Sequence, residues 1–414
     1  MPKPRQIRSA SSDRSKGTGK PRKREAAEGF QRYTGWRSLL NPLWCYHGFR
    51  VAVLALTCFG VIMVFSSSSV DMVSQGASTW RQALSQGAYC VIGLVMAFIA
   101  MHVRCPIYRR LGIAGIGFSM VLQALTLTPL GITQYGNTGW IGIPGVFTLQ
   151  PAEVMKCALC IWLPSAMIAA RKRYEREGVK AYLAPGIVYF VCLGLVMLGK
   201  DMGTGMIIVA IGIVAFLIGG FPLKWLLAGM AVVGAAAAAF VISSPNRLNR
   251  VLAAYTACTG SDAQDVCYQS IHARYAIASG GLLGVGIGNS REKWNYLPAA
   301  HNDFIFAIIC EETGFIGGAL VILLFVVIGW CLIAMALQMR DRYASMVLIC
   351  IAAWLVGQGL VNIAVVVGLL PVMGVPMPFV SAGGSSLIMC LAAAGAAVSM
   401  MREHPQVKAE RVKA

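Results

Sequence analysis

One short segment combines the residue types that acid–base chemistry requires. His301, Asn302 and Asp303 stand together after a polar run that contains Pro298, and the apolar sequence FIFAII follows at once. A carboxylate at the mouth of a membrane helix is costly to desolvate, so it marks a functional site by default. Helix capping by Asp or Asn is the plain alternative, but one cap does not need three such residues beside a glycine-rich loop. The pattern favours a general base at Asp303, with His301 as a candidate contact to substrate.

The composition of the 414-residue chain indicates a membrane protein. Hydrophobic residues make up 57% of it and charged residues 13%, whereas a soluble domain carries about 25% charged residues. The mean hydropathy is +0.67. Apolar runs of about 20 residues recur, as a hydrocarbon core of about 30 Å demands. We therefore predict an all-α polytopic membrane protein with ten spans, at residues 48–68, 84–101, 110–128, 151–170, 183–199, 204–220, 223–243, 303–335, 344–368 and 383–401.

The placement of Lys and Arg predicts the orientation of the chain. Basic residues concentrate in the N-terminal tail and in three connections, and the positive-inside rule assigns such segments to the cytoplasm. Both termini are then cytoplasmic, and a large extracytoplasmic loop joins the seventh and eighth spans. The basic connections are residues 104–110, 171–180 and 340–342. The connections assigned to the outer side are residues 69–83, 129–150, 244–302 and 369–382.

Three parts of the chain differ in composition. We expect residues 1–47 to form a disordered basic cytoplasmic tail, because the first 30 residues lack an apolar core. Residues 48–402 form the transmembrane domain, and residues 403–414 a short cytoplasmic tail. The net charge of +18 lies largely in the N-terminal tail and the inner connections. It therefore indicates contact with anionic lipid and not with nucleic acid.

The 13 cysteines show no CxxC or Cys/His spacing that would bind a metal. Most of them lie in apolar spans, where they act as small hydrophobic residues. Cys258 and Cys267 differ, because both lie in the outer loop, where oxidising conditions permit a disulfide. We predict a bridge between them, with two free thiols as the alternative.

The outer loop 244–302 is long enough to build a binding surface. Five glycines between Gly280 and Gly288 predict irregular backbone that lines a polar cavity, since such backbone survives at membrane depth only there. The cationic residues of this loop favour an anionic ligand such as pyrophosphate, although solvated surface charge is the alternative. These residues are Arg247, Arg250, Arg274, Arg291 and Lys293.

Further polar residues lie at predicted membrane depth. Glu153 and Lys156 are three positions apart near a helix start, so they share one face and can pair. A packing role and a substrate-binding role are equally open for them. Asp201 breaks two apolar runs on the predicted outer side, with an ordinary tight turn as the alternative. Ser381 and Ser385, with the backbone of the SAGGSS segment, are suited to hold a phosphate at a helix N-terminus or simply to cap that helix.

Several motifs, in one order from about residue 50 to about residue 402, resemble the SEDS family (shape, elongation, division and sporulation). They are WIGIPGVFTLQPAEVMK at 140–156, DMGTG at 201–205, NRLNRV at 246–251, YQSIHARYAIASGGLLGVGIGNSREKWNYLPAAHNDFIFAIICEETG at 268–314, and GLLPVMGVPMPFVSAGGSS at 368–386. The amino-acid sequence around Asp303 is most similar to that of the actinobacterial division branch and less similar to that of the elongation branch.

The resemblance implies a peptidoglycan glycosyltransferase in the bacterial cytoplasmic membrane, enriched at the division septum. Such an enzyme polymerises lipid II into glycan strands for the septal wall and releases undecaprenyl pyrophosphate. It works beside a class B penicillin-binding protein, which cross-links the strands, and with other division proteins. A divalent cation, Mg or Mn, is a candidate cofactor that would neutralise the departing pyrophosphate. Because the sequence has no compact multi-carboxylate site, such a cation would be bound largely through substrate phosphates.

Three other functions stay open on the sequence. A lipid II flippase suits Glu153 and Lys156 at membrane depth, although transporters typically contain repeats and the two halves of this chain show no convincing one. A polymerase of the elongation branch would use the same chemistry for another purpose. A scaffold that only recruits the transpeptidase leaves Asp303 and the glycine-rich loop unexplained.

Overall fold

A computed structural model of the protein describes residues 33–411 except for positions 34, 75, 77, 79, 135–136, 144–146, 256–266, 295 and 299. The predicted helical class is confirmed in this part of the chain. The helices are α1 (Pro42–Ser74), α2 (Trp80–Ala100), α3 (Cys105–Leu125), α4 (Pro151–Glu177), α5 (Leu183–Leu198), α6 (Met202–Gly219), α7 (Leu223–Ile242), α8 (Pro245–Tyr255), α9 (Tyr268–Gly280), α10 (Ile305–Gln338), α11 (Arg342–Val366), α12 (Gly384–Met401) and α13 (Pro405–Arg411). Short 3-10 helices occur at Gly35–Leu40 and Gly178–Tyr182.

Ten of these helices, all but α8, α9 and α13, correspond one to one to the predicted spans. Eight segments of the described chain are long and apolar enough to cross a membrane, and one of them, Pro151–Leu198, runs through both α4 and α5. The helix α3 is outside that set, but it packs along α4 and so belongs to the same bundle. The first helix begins at Pro42, inside the segment predicted as a tail.

Local sequence explains where several helices begin. Pro151 occupies the first turn of α4, where its missing N–H costs nothing. Asp201 precedes α6 and accepts the N–H of Thr204, and Asp341 precedes α11 and accepts the N–H of Tyr343. Each aspartate satisfies one of the free donors of a first turn.

A small antiparallel sheet stands where the sequence predicted only an outer connection. Its strands are β1 (Gly131–Gln134), β2 (Asn137–Ile143) and β3 (Phe147–Leu149), with β2 in the middle. The Thr138 N–H at the start of β2 donates to Gly199 O at 3.0 Å. The sheet is therefore tied to the turn between α5 and α6.

Polar contacts hold the connections together at the opposite end of the bundle, called below the arginine end. Arg109 pairs with Asp341 at 2.5 Å, which joins the start of α3 to the turn before α11. Arg402 donates to Met101 O at 2.5 Å, which joins the end of α12 to the end of α2. Two of the three basic connections predicted to face the cytoplasm, residues 104–110 and 340–342, thus meet at this end.

The helix α10 is interrupted at Gly314, whose backbone has φ 70° and ψ −170°. The glycine-rich segment 280–288 fits against this break, because the N–H of Val285 donates to Glu311 O and that of Gly286 to Glu312 O, each at 3.0 Å. A side chain at Gly314 would collide with the backbone of this segment. These two N–H groups of the irregular segment are thereby paired with carbonyl groups of the protein, as a hydrocarbon environment would require.

Candidate active site

Asp303 lies in the turn that precedes α10, two residues before the helix begins. Asn362 of α11 donates its Nδ2 to Asp303 O and to Val375 O, each at 2.7 Å. Ser381 donates its hydroxyl to Asn302 O, also at 2.7 Å. These bonds hold the backbone on both sides of the Asp303 side chain, while its carboxyl group stays half-buried.

The loop between α11 and α12, residues 367–383, lies over Asp303. The N–H of Ala382 donates to His301 O at 2.9 Å. Gly374 has φ +69°, and a methyl group added there would lie 3.6 Å from Asp303 Oδ2. The carboxyl oxygen therefore faces backbone at a position where glycine is favoured.

We predict that Gly374→Ala lowers the polymerisation rate as well as the stability against thermal unfolding. Alanine at positive φ is strained, by about 1 kcal/mol or more, and its methyl group would stand beside the reacting oxygen. Polymerisation rate and thermal unfolding of the purified variant measure the two effects. Unchanged activity with lowered stability would show that this face of Asp303 is not used.

Asp201 is a second carboxylate beside the same loop. Its Oδ1 accepts the N–H of Thr204 at 3.0 Å, and its Oδ2 accepts Nε2 of Gln150 at 3.0 Å. Gly203, in the first turn of α6, approaches the loop so closely that a methyl group there would lie 2.5 Å from Met373 O. The turn at Asp201 is thus a helix cap, and it also carries negative charge into the surroundings of Asp303.

The electrostatics of the site favour proton transfer near neutral pH. Burial and, second, the negative charge of Asp201 raise the pKa of Asp303 to about 6 from an ordinary value of 3.8. A general base is most effective when its pKa lies close to the working pH.

This pKa predicts an acid limb in the pH–rate profile. A base must be ionised, so kcat/KM should fall about tenfold per pH unit below pH about 6 and level off above it. Asp201→Asn removes a like charge, which lowers the pKa of Asp303 and moves the limb to lower pH. An acid limb that stays in place in Asp201→Asn would contradict this electrostatic coupling.

The predicted contact between Glu153 and Lys156 is confirmed. Lys156 Nζ lies 2.8 Å from Glu153 Oε1, and both side chains are 1% exposed. Lys156 also donates to Gln358 Oε1 at 2.7 Å, and Gln358 Nε2 donates to Pro376 O at 2.7 Å. The ion pair is thereby connected to the loop that lies over Asp303. Gln358 and Asn362 are one turn apart on α11, so one helix face supports both contacts.

The two predicted serines serve as ties between loops. Ser381 accepts the N–H of Met377 at 2.7 Å in addition to its bond to Asn302. Ser385, in the first turn of α12, accepts the N–H of Gln150 at 3.3 Å. Both hydroxyls therefore help to shape the site around Asp303.

The predicted cationic residues of the outer loop are dispersed. Arg250 is exposed on α8, and Arg274 is exposed on α9 with its guanidinium beside Gly368. The side chain of Arg247 lies outside the described residues. Lys293, predicted as a cationic donor to an anionic ligand, is instead buried, and its ammonium group is paired with Glu312 at 3.1 Å.

Only one of the two cysteines of the predicted disulfide is described by the structure. Cys267 is disulfide-bonded, while Cys258, its predicted partner, lies outside the described residues.

Within the described residues, no three His, Cys, Asp or Glu side chains converge to hold a metal ion.

The chain is similar to proteins of one family along most of its length. The cell cycle protein family represented by FtsW, RodA and SpoVE matches residues 47–406. A probable peptidoglycan glycosyltransferase FtsW of Mycobacterium tuberculosis is 33% identical over 382 residues, which cover 91% of this chain and 71% of the relative. Stage V sporulation protein E of Bacillus subtilis is 35% identical over 358 residues, which cover 85% and 95%.

Solved structures share the fold. A chain from a structure that concerns polymerization and crosslinking by a peptidoglycan synthase complex superposes with a TM-score of 0.67 at 25% identity, covering 87% of this chain and 98% of that one. The rod shape determining protein RodA of Thermus thermophilus superposes with a TM-score of 0.63 at 24% identity, covering 88% and 97%. The second likeness bears on the fold alone.

Proposed function

The chain belongs to the cell cycle protein family of FtsW, RodA and SpoVE, and from that premise we propose that it is a peptidoglycan glycosyltransferase acting in division. It polymerises lipid II into glycan strands for the septal wall. The mycobacterial relative is named a probable peptidoglycan glycosyltransferase. The observation that carries the proposal is Asp303, a half-buried carboxyl group with a pKa raised to about 6 at the mouth of a membrane helix.

The reaction joins two sugars. The 4-hydroxyl oxygen of one sugar forms a bond to the anomeric carbon of the other, and the bond from that carbon to the lipid pyrophosphate breaks. Asp303 takes the hydroxyl proton, a role worth about 10²- to 10⁴-fold in rate. The electron pair of the broken bond leaves with the pyrophosphate, whose charge must be stabilised.

The surroundings of Asp303 suit this task. Asn362 and Ser381 hold the backbone on both sides of the base, and small displacements of a base are costly to rate. The lipid tail stays in the bilayer while its polar head meets Asp303 at the membrane boundary. Arg250 and Arg274, exposed on the preceding helices, are the proposed donors to pyrophosphate.

We propose a divalent cation, Mg or Mn, as a cofactor of this site. Such ions are commonly held by one or two carboxylates together with substrate phosphates. Asp201, which already lies beside the same loop as Asp303, would hold the ion with those phosphates. When bound, the cation would neutralise the developing charge of the leaving group.

The proposal includes a partner and a location. A class B penicillin-binding protein is the proposed partner, supported by the likeness to a chain of a peptidoglycan synthase complex. The arginine end of the bundle would face the cytoplasm, with both termini, because basic connections collect there. Asp303 would then face outwards, where lipid II is consumed at the septum.

The test uses the full-length protein in detergent with lipid II, alone and with the class B partner. Electrophoresis of the products should reveal glycan strands. Lipid II that stays monomeric under both conditions, with folded protein, would reject the proposed activity.

A further inference from the structure

A second polar cluster lies against α10, apart from the groups assigned to the reaction, and joins Glu312 of this helix to Lys293, Gly288 and Ser66. Lys293 Nζ lies 3.1 Å from Glu312 Oε1 and donates to Gly288 O at 2.6 Å. The side chains of Lys293 and Glu312 are 3% and 0% exposed. Ser66 of α1 donates its hydroxyl to the two oxygens of Glu312 at 2.7 and 2.6 Å. The Glu312 carboxylate is therefore held by a cation and by a neighbouring helix.

The adjacent Glu311 is held by one side-chain donor and one backbone donor of the same segment. Its Oε2 accepts the hydroxyl of Ser290 at 2.5 Å, and its Oε1 accepts the N–H of Arg291 at 2.9 Å. The N–H of Lys293 donates in turn to the Ser290 oxygen at 3.2 Å. The segment from Gly288 to Lys293 is thus fastened to two consecutive carboxylates of α10.

Burying charge is expensive, and an ion pair in the interior does not by itself imply stability. Such a pair is most easily understood where it enforces one geometry. Lys293 stands ten positions before Asp303, and Glu312 stands nine positions after it. The ion pair therefore ties the start of the loop that carries Asp303 to Glu312, about two turns into α10, and this tie restricts the conformations open to that loop.

We propose that the Lys293–Glu312 pair is a clamp that positions Asp303. The pair holds the two flanks of the loop, while Asn362 and Ser381 hold its centre. Both clamp residues act through the loop backbone and are positioning residues. The identity of Asp303 as the base rests on the proposed function, whereas the geometry of the clamp does not.

Three full-length variants test the clamp: Lys293→Met, Glu312→Gln and the two combined. Each single change leaves one buried charge without its ion-pair partner and should lower the abundance of the protein. The double variant contains no stranded charge, so it should accumulate normally while its loop is unclamped. We expect its kcat to fall about 10- to 100-fold, with KM for lipid II within about twofold of the original value.

Hydrogen exchange provides a readout that does not depend on activity. In the double variant, peptides that cover Asp303 should exchange faster, while peptides from α4 and α11 exchange as in the original protein. If the original protein makes no glycan, the proposed function fails and this exchange pattern still decides the clamp. Faster exchange throughout the protein would overturn the proposal, since it would reveal general destabilisation.

Ser66→Ala is the matched control. It removes one hydrogen-bond donor from Glu312 but keeps the ion pair, so turnover and protection should be retained. A double variant with unchanged kcat, or a Ser66→Ala variant as impaired as the double, would also overturn the clamp. If the double variant does not accumulate, Glu312→Asp keeps the charge and withdraws it from Lys293, and slower turnover with faster exchange around Asp303 is then required.

Discussion

Asp303→Asn should lower the polymerisation rate about 10²- to 10⁴-fold and leave membrane insertion and abundance unchanged. Asparagine has the same shape, so the packing around residue 303 should be retained. The bond from Asn362 goes to the backbone oxygen of residue 303, so it survives the substitution. The change removes the oxygen that accepts a proton, and it should therefore act on rate alone. Purified protein given lipid II measures it.

Asp341→Asn is the matched control for this experiment. Asp341 likewise precedes a membrane helix, which it caps, but it lies at the arginine end and pairs there with Arg109. That pair is substantially exposed, so its loss should cost about 1 kcal/mol at most. Near-normal glycan synthesis by Asp303→Asn, or equal losses in the two variants, would end the assignment of Asp303 as the base.

The buried pair of Glu153 and Lys156 should show a large and non-additive effect. Glu153→Gln or Lys156→Met leaves one charge in the interior without its partner, which costs about 3–5 kcal/mol of stability. The double variant removes both charges and should be more stable than either single variant. Thermal unfolding of the three purified variants measures this order, and additive losses would contradict it.

The same variants separate an enzyme from a transporter. Through Gln358, the pair supports the loop over Asp303, so the single changes should lower polymerisation. Lipid II should still reach the outer leaflet in cells, as an accessibility assay would show. Lipid II trapped inside by Glu153→Gln, with polymerisation by the purified variant unaltered, would favour a flippase instead.

Residues whose role depends on local spacing could be predicted from the sequence. Asp303 stands where a polar run becomes an apolar helix, and Glu153 and Lys156 are one helical turn apart. Such patterns can be recognised in a sequence because helix geometry alone brings Glu153 and Lys156 together. The ten long helices were predictable because their length follows from the thickness of the membrane.

Residues whose role depends on tertiary contacts could not be predicted. Asn362 and Gln358 are single amides in an apolar helix, and nothing in their neighbourhood tells which loops they will hold. From the sequence, Lys293 is interpreted as an accessible cation because it follows other basic residues of the loop. Its burial depends on Glu312, and that contact requires the break of α10 at Gly314 and the glycine-rich segment packed into it.

The small sheet was missed for another reason. Its strands are short, and glycines interrupt the alternation of apolar residues that indicates a strand. The contact of β2 with Gly199 places this sheet beside the turn that carries Asp201.

Asp303 as the base of a polymerase is tested most directly by a product count from the purified full-length protein, incubated with lipid II and its class B partner. Glycosidic bonds and released polyprenyl pyrophosphate are measured in the same reaction. Polymerisation with Asp303 as the base should give equal amounts of the two, and Asp303→Asn should lose both. Intact lipid II recovered from folded protein, or equal amounts of both products from Asp303→Asn and the original chain, would contradict it.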